Sequence, residues 1–200
     1  MSQPVLLSTA YLPSVFYLKQ ILHNDKIIIE KNENFIKQTY RNRCDIVSAN
    51  GLITLSIPLI KQNNKELISE KKISYAENWQ QQHWRTLVSA YKNSPYFDFF
   101  EQEFKPFYEK KFEYLFEYNL QLLETILKIL RVQKTILFTE EFQIKPSNVK
   151  DLRLISDLKH TEIKIESTPY YQVFSDKNGF KENLSCIDAL FNIGLEIKKL

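Results

Sequence analysis

Glycine is nearly missing from this chain. Only Gly51, Gly179 and Gly194 occur in 200 residues. A phosphate-cradling P-loop or a dinucleotide-binding fingerprint needs several glycines within a few residues, so that backbone can approach phosphate. No such cluster exists, which excludes the usual glycine-loop nucleotide enzymes. Cysteine is equally scarce. Cys44 and Cys186 lie far apart without a C-x-x-C spacing, so neither a zinc site nor a disulfide framework is expected. Reduced thiols in a cytoplasm are the simplest reading. His23, His83 and His160 show no ligand spacing and no H-E-x-x-H, so no metal is expected, and no cofactor motif is present. No uninterrupted apolar run of about 18 residues occurs, which predicts no membrane span. The apolar stretch 5–18 has no preceding Lys or Arg and is interrupted by Pro13, unlike a signal peptide. A dense basic block is also lacking. The 27 basic and 24 acidic residues are interspersed, so the net charge of +3 argues against nucleic acid as a partner.

Aromatics, by contrast, are abundant, with 14 Phe, 11 Tyr and 2 Trp. The length fits one domain. Buried strands are predicted at 5–7 and 26–30, and helical spacing at 14–22. The clearest local signal is a hairpin over 43–60. Its apolar runs flank Asn50-Gly51, a dipeptide that tolerates positive φ at both central positions of a type I′ turn. Cys44, Ile46 and Ser48 share one face, and Pro58 ends the return strand. A further strand is expected at 71–74. Helices follow at 77–92, at 96–104 with Ser94 as cap and Pro106 as stop, and at 108–131. A strand at 135–139, an amphipathic helix at 147–158, a strand at 162–166 and an extended aromatic stretch at 170–174 come next. A last helix at 185–192 is capped by Ser185 and stopped by Gly194. The resulting fold class is α+β: a single compact domain, residues 1–200, in which an N-terminal sheet containing the hairpin packs on a central set of helices.

Polar function is concentrated just before the hairpin. If the chain is extended there, Arg41 and Arg43 point to one side and can grip a carboxylate or phosphate. Lys37 adds a point charge, Tyr40 a stacking ring and Asn42 a donor and an acceptor. His83 lies on the helical stripe of Trp79, Leu87 and Tyr91, where it reads either as a general base or as a packed core histidine. Tyr91 and Tyr96 flank a helix junction and can stack on a sugar or fix the angle between helices. Cys44 and Cys186 read as packing residues, the alternative being a nucleophile, with Cys186 near a helix N-terminus that lowers a thiol pKa. Asp188, in the first turn of the last helix, reads either as a catalytic carboxylate or, more simply, as a favourable charge there.

These residues in this order resemble the WbqC-like protein family. They are Tyr11-Leu12-Pro13; Lys37-x-x-Tyr40-Arg41-Asn42-Arg43; Asn50-Gly51 before a strand ending in Pro58; Trp79 and His83 on a helix; Tyr91 and Pro95-Tyr96-Phe97; Leu184-Ser185-x-Ile187-Asp188; and Leu190-Phe191-Asn192-x-Gly194. The resemblance covers nearly the whole chain. It implies a role in making or modifying a surface polysaccharide of the O-antigen type, or a glycolipid. The expected protein is a cytoplasmic, transferase-type enzyme acting on a sugar or an anionic carrier-linked intermediate; the alternative is a non-catalytic accessory protein of the same pathway. In that reading His83 and Lys37 are catalytic. Tyr40, Arg41, Asn42, Arg43, Tyr91 and Tyr96 bind an anionic or sugar-containing small molecule. Longer members of the family carry an extra segment where residues 161–170 are short here.

Overall fold

A computed structural model describes residues 3–61, 65–157 and 168–200. The expected strand at 162–166 lies outside the described residues. Two continuous apolar runs, β1 (Val5–Ser8) and β2 (Lys26–Glu30), pair in parallel through the crossover helix α1 (Val15–His23). Runs without alternation are what strands buried on both faces look like. β5 (Thr135–Phe138) and β6 (Lys150–Asp151) join on either side, giving a parallel sheet in the order β5-β2-β1-β6. Val5, Leu7, Ile27 and Ile29 are buried. On that face Ile29 meets Tyr17 of α1 and Phe116 and Leu123 of α4 (Leu115–Ile129) around a small internal gap. The opposite face carries Leu6, Ile28 and Leu137, and Leu137 is 48% exposed.

The α+β class holds, but the hairpin stands apart from the parallel sheet. β3 (Arg43–Ser48) and β4 (Gly51–Ser56) form their own antiparallel ribbon. Cys44 faces Leu55 and Ile46 faces Ile53, on the side that enters the core. The turn differs from expectation. Its central residues are Ala49 and Asn50, and Gly51 follows them with φ of +104°. The Ser48 hydroxyl accepts from the Asn50 N–H and donates to the Gly51 carbonyl. Asn50 therefore has no need of a left-handed conformation.

Helices α2 (Trp79–Tyr91) and α3 (Phe97–Glu109) pack with α4 and the C-terminal α6 (Cys186–Ile193). Pro106 does not stop α3, which runs one turn further. Phe107 and Tyr108 are buried beyond it, and their packing outweighs the lost hydrogen bond. The expected long helix at 108–131 is broken at 110–114. There the Tyr75 hydroxyl accepts from Phe112 N–H and donates to its carbonyl, and Ile73 and Leu115 exchange backbone bonds with Glu113 and Lys71. The stretch at 71–74 thus forms single bridges to Leu59 and Tyr114 in place of a full strand. Ser94 caps no helix; its hydroxyl donates to the Tyr91 carbonyl and closes α2. Among the described residues no helix covers 147–157 of the helix expected at 147–158. Asn148 has a φ of +62°, Lys150–Asp151 pair with β1, and Arg153–Ser156 form a 3₁₀ turn. The stretch at 170–174 ends in a turn that leads into the single-turn helix α5 (Ser175–Asn178).

Ser185 caps α6 as expected, accepting from Ile187 N–H, and Gly194 ends it. Gly194 has a φ of +57°, and a Cβ added there would sit 2.8 Å from the Tyr96 ring. Gly194→Ala should therefore lose about 1–2 kcal/mol to the left-handed backbone alone, with further loss from the ring contact. Urea denaturation should show a lower midpoint with an unchanged slope.

Candidate functional site

In a parallel sheet, ligands characteristically sit beyond the carboxyl ends of the strands, where a helix N-terminus offers free N–H groups. Here that N-terminus is already closed. Tyr17 N–H bonds to the Ser14 hydroxyl, Phe16 N–H to the Asn183 side chain and Val15 N–H to the Leu184 carbonyl. The Ser185 hydroxyl and Cys186 N–H bond the Leu12 and Pro13 carbonyls of the same loop. Leu12 is held at φ of +41° while fully buried, an unusual backbone state for a bulky residue. The C-terminal segment therefore occupies the place where a phosphate would dock.

The crevice between β1 and β6 is filled by side chains. Arg41 is 1% exposed. Its Nε and Nη2 form a fork on Glu33, Nη1 donates to Asp157 and Nη2 also donates to the Ser8 hydroxyl. Beside it, Arg153 bonds Asp151 and Glu30, and the carbonyls of Gln143 and Ile144. Glu30 accepts from Thr139 and from Asn32 N–H. An open cleft of about 410 Å³ adjoins this network. Leu6, Ile28 and Phe138 contribute its apolar surface, and Glu30, Thr139, Glu140, Glu141, Gln143 and Ser147 its polar groups. Carboxylate, amide and hydroxyl groups beside an apolar floor suit a ligand that presents hydroxyls around a carbon frame. Among the described residues no cluster of three or more His, Cys, Asp or Glu side chains is placed to hold a metal.

The sequence-selected residues do not converge on one cleft. Arg41 turns inward, because residues 40–42 form a turn and not an extended stretch. Its donors are committed to the protein's own carboxylates, so it ties the sheet edge together. Arg43 lies half-buried on β3 with its Nε lacking a hydrogen-bond partner among the described residues. Lys37 is exposed on the connection between β2 and β3. Tyr40 donates to Asp45, which also accepts from Thr54, and Asn42 donates to the Ile57 carbonyl. Tyr96 packs against Phe99 and Phe100.

His83 is a core residue. Its ring stacks on Tyr11 and meets the edge of Trp79. The Tyr11 hydroxyl lies 3.0 Å from Nδ1 and 3.1 Å from the Tyr108 hydroxyl. His83, Tyr11 and Tyr108 thus form one buried hydrogen-bonded chain. Burial lowers the His83 pKa to about 4, opposed in part by a hydrogen bond to the Ser56 backbone. A base must reach its substrate, and this ring is buried with Nδ1 engaged by a buried phenol. Tyr91 is also fully buried and donates to Asp188. Both cysteines are buried, and burial raises their thiol pKa values, which disfavours the nucleophilic thiolate.

One group of polar residues escaped the sequence reading. Glu30, Glu33, Asp151 and Arg153 become neighbours only through parallel pairing. The one available signal was an acid closing an isoleucine strand. Asp188, which the sequence places in the first turn of the last helix, gains its partners only in the fold. It is fully buried and accepts from Tyr91 and from Tyr170, at 2.8 and 2.7 Å. Burial raises its pKa to about 6, and those phenols oppose the rise.

A model of the WbqC-like protein family matches residues 9–164. The chain is 23% identical to the uncharacterized protein Rv1507c of Mycobacterium tuberculosis (strain ATCC 25618 / H37Rv), over 98% of this chain and 96% of that protein. No solved structure matches it.

Arg41→Ala would leave buried Glu33 without its cation and remove the Arg41 bond to Asp157, and should cost about 3–5 kcal/mol. Arg41→Lys should rescue little, since an ammonium cannot reproduce the fork. Both are read by chemical denaturation. Asp188 and His83 shift stability oppositely with pH. The folded pKa of Asp188 lies above its unfolded value, so acidification from pH 7 towards 4 stabilises through it, by an amount on the order of 3 kcal/mol. The folded pKa of His83 lies below its unfolded value, so the same change destabilises by a comparable amount. Asp188→Asn should therefore steepen the loss of stability in acid, and His83→Gln should reduce it. Unfolding free energies measured from pH 4 to 7 check both slopes.

Proposed function

We propose that this chain, which belongs to the WbqC-like protein family, is a transferase-type enzyme in the biosynthesis or modification of a surface polysaccharide or glycolipid. The pathway is the one that the resemblance implies. The observation that carries the ligand assignment is the cleft at the carboxyl edge of the sheet. Sugar hydroxyls would donate to Glu140, Glu141 and Gln143, and the carbon face of the ring would rest on Leu6 and Ile28. Transfer to a hydroxyl needs a base, and the exposed carboxylates of Glu140 and Glu141 are the groups at this cleft able to take a proton. Arg153 acts behind them: it holds the carbonyls of Gln143 and Ile144, and so fixes the loop that carries those carboxylates.

The commitment of His83 and Arg41 to internal partners favours a second reading, in which the chain holds an intermediate for another enzyme and performs no chemistry. Lys37 and Arg43 are the cations outside the Arg41 network that would serve an anionic ligand in either reading.

The test uses ligand-detected NMR with a panel of neutral hexoses, amino sugars and uronic acids. Binding of at least one hexose or amino sugar is expected, weakened at least tenfold in Glu140→Ala and Gln143→Ala. Binding confined to uronic acids, lost in Lys37→Ala with Arg43→Ala and retained in the cleft variants, would sink the assignment. Turnover of a carrier-linked form of the bound sugar, abolished by Glu140→Gln with Glu141→Gln, separates the enzyme from the accessory protein.

A further inference from the structure

The outer edge of β5 is laid out for a second copy of itself. β5 is the last strand on its side of the sheet, and it carries no proline or charge between Thr135 and Phe138 to blunt pairing. Thr139 N–H donates to Ile29 of β2. Successive residues of a strand direct their N–H and C=O groups to opposite edges. Leu137 and Thr135 therefore face β2 with Thr139, while Ile136 and Phe138 direct theirs outward. Among the described residues no strand receives them.

The flanking charges distinguish a self-partner from any other. Arg131 and Lys134 precede the strand, and Glu140 and Glu141 follow it. The sequence thus carries positive charge at one end and negative charge at the other. Antiparallel pairing about a two-fold axis through Leu137 sets Ile136 against Phe138 of the second copy. It also sets Thr135 against Thr139 and Lys134 against Glu140. All of the outward-directed groups then meet outward-directed groups, and each end meets its opposite charge. Lys134 already donates to the Leu22 and Asn24 carbonyls, which holds its charge at that end and leaves one N–H available.

Apolar surface follows the same axis. Leu137 and Phe138 are 48% and 40% exposed. An open groove of about 720 Å³ runs beside β5; Leu120, Leu127, Val132, Ile136 and Phe138 form its apolar part, among polar residues that include Glu124 and Lys128. Residues directly opposite in a pair share a face, so Ile136 and Phe138 of the second strand come to lie on the helix-covered side, along this groove. We infer that the protein forms a two-fold dimer through antiparallel β5–β5 pairing, which joins two four-stranded sheets into one of eight. The same pairing carries the basic end of each copy to the acidic rim of the other copy's cleft. The inference goes beyond the functional reading and stands whether or not the cleft binds a sugar.

Such a short ladder belongs with small interfaces, so a monomer–dimer equilibrium in the micromolar range is expected by sedimentation velocity. Glu140→Lys with Glu141→Lys should weaken it at least tenfold, and added salt should weaken the wild type. Leu137 faces itself across the axis as a non-hydrogen-bonded pair, with Cα atoms about 4.5 Å apart, within disulfide range. The native cysteines are both buried. Leu137→Cys should therefore cross-link rapidly under mild oxidation, whereas Ile36→Cys, at an exposed position on another segment, should not. A wild type that remains monomeric across the range, with Leu137→Cys no faster than Ile36→Cys, overturns the inference. So does a dimer that neither Leu137→Cys captures nor the charge reversal weakens.

Discussion

A guanidinium buried with two carboxylates persists only where the surrounding chain holds all three in register, because any one left alone is an uncompensated charge. Arg41 imposes that condition on this fold. It reaches Ser8 at the end of β1, Glu33 just after β2 and Asp157 just after the turn that follows β6. These segments are distant in sequence and adjacent at one sheet edge. The Asn119 side chain adds α4 by donating to the Arg41 carbonyl. Parallel strands lack tight connections of their own, so something must fix where their ends lie. Here one side chain does so for β1, β2 and β6 together.

That commitment explains the character of the cleft. With Arg41 held by Glu33 and Asp157, and Arg153 held by Asp151 and Glu30, the positive charge at the edge is neutralised internally. The carboxylates outnumber the arginines in this network, and Glu140 and Glu141 extend the same sign along the rim. The site therefore favours hydroxyl or amine donors over an anion. The arginine-rich segment looked, in one dimension, like a grip for phosphate. The missing fact was that the acids it pairs with, Glu33 and Asp157, arrive from two other places in the chain.

Elements whose causes are local were legible in the sequence. β1, β2, the hairpin faces, α1, α2 and α6 follow from apolar period, cap and stop residues, and the structure has each of them. Failures fall where tertiary contacts override local signals. Pro106 is carried through because Phe107 and Tyr108 are buried. The break at 110–114 exists because Tyr75 bonds both backbone groups of Phe112. Residues 147–158 have helical spacing, yet Lys150 and Asp151 are drawn to the open edge of β1. His83 shows the same limit for chemistry. Its place on the buried stripe was readable, while its phenol partner lies 72 residues away. Two of the family-like segments, around Tyr11-Leu12-Pro13 and Leu184-Ser185, bond each other, which gives their shared presence a structural cause.

Scarce glycine gains a consequence at this point. A chain without a glycine loop cannot present bare backbone to phosphate, and the first turn of α1 is closed by Ser14, Asn183 and Leu184 instead. Recognition must then rest on side chains, and the side chains free to act are those that no internal network consumes. On the stretch that leaves β5, Glu140, Glu141 and Gln143 line the cleft outside the arginine network, with Gln143 donating to Glu141. The same stretch ends the unpaired edge strand. An interaction that orders that edge would also order the cleft rim, because residues 138 to 143 serve both. Assembly and ligand binding would in that case be linked through a shared segment, with no separate coupling device required.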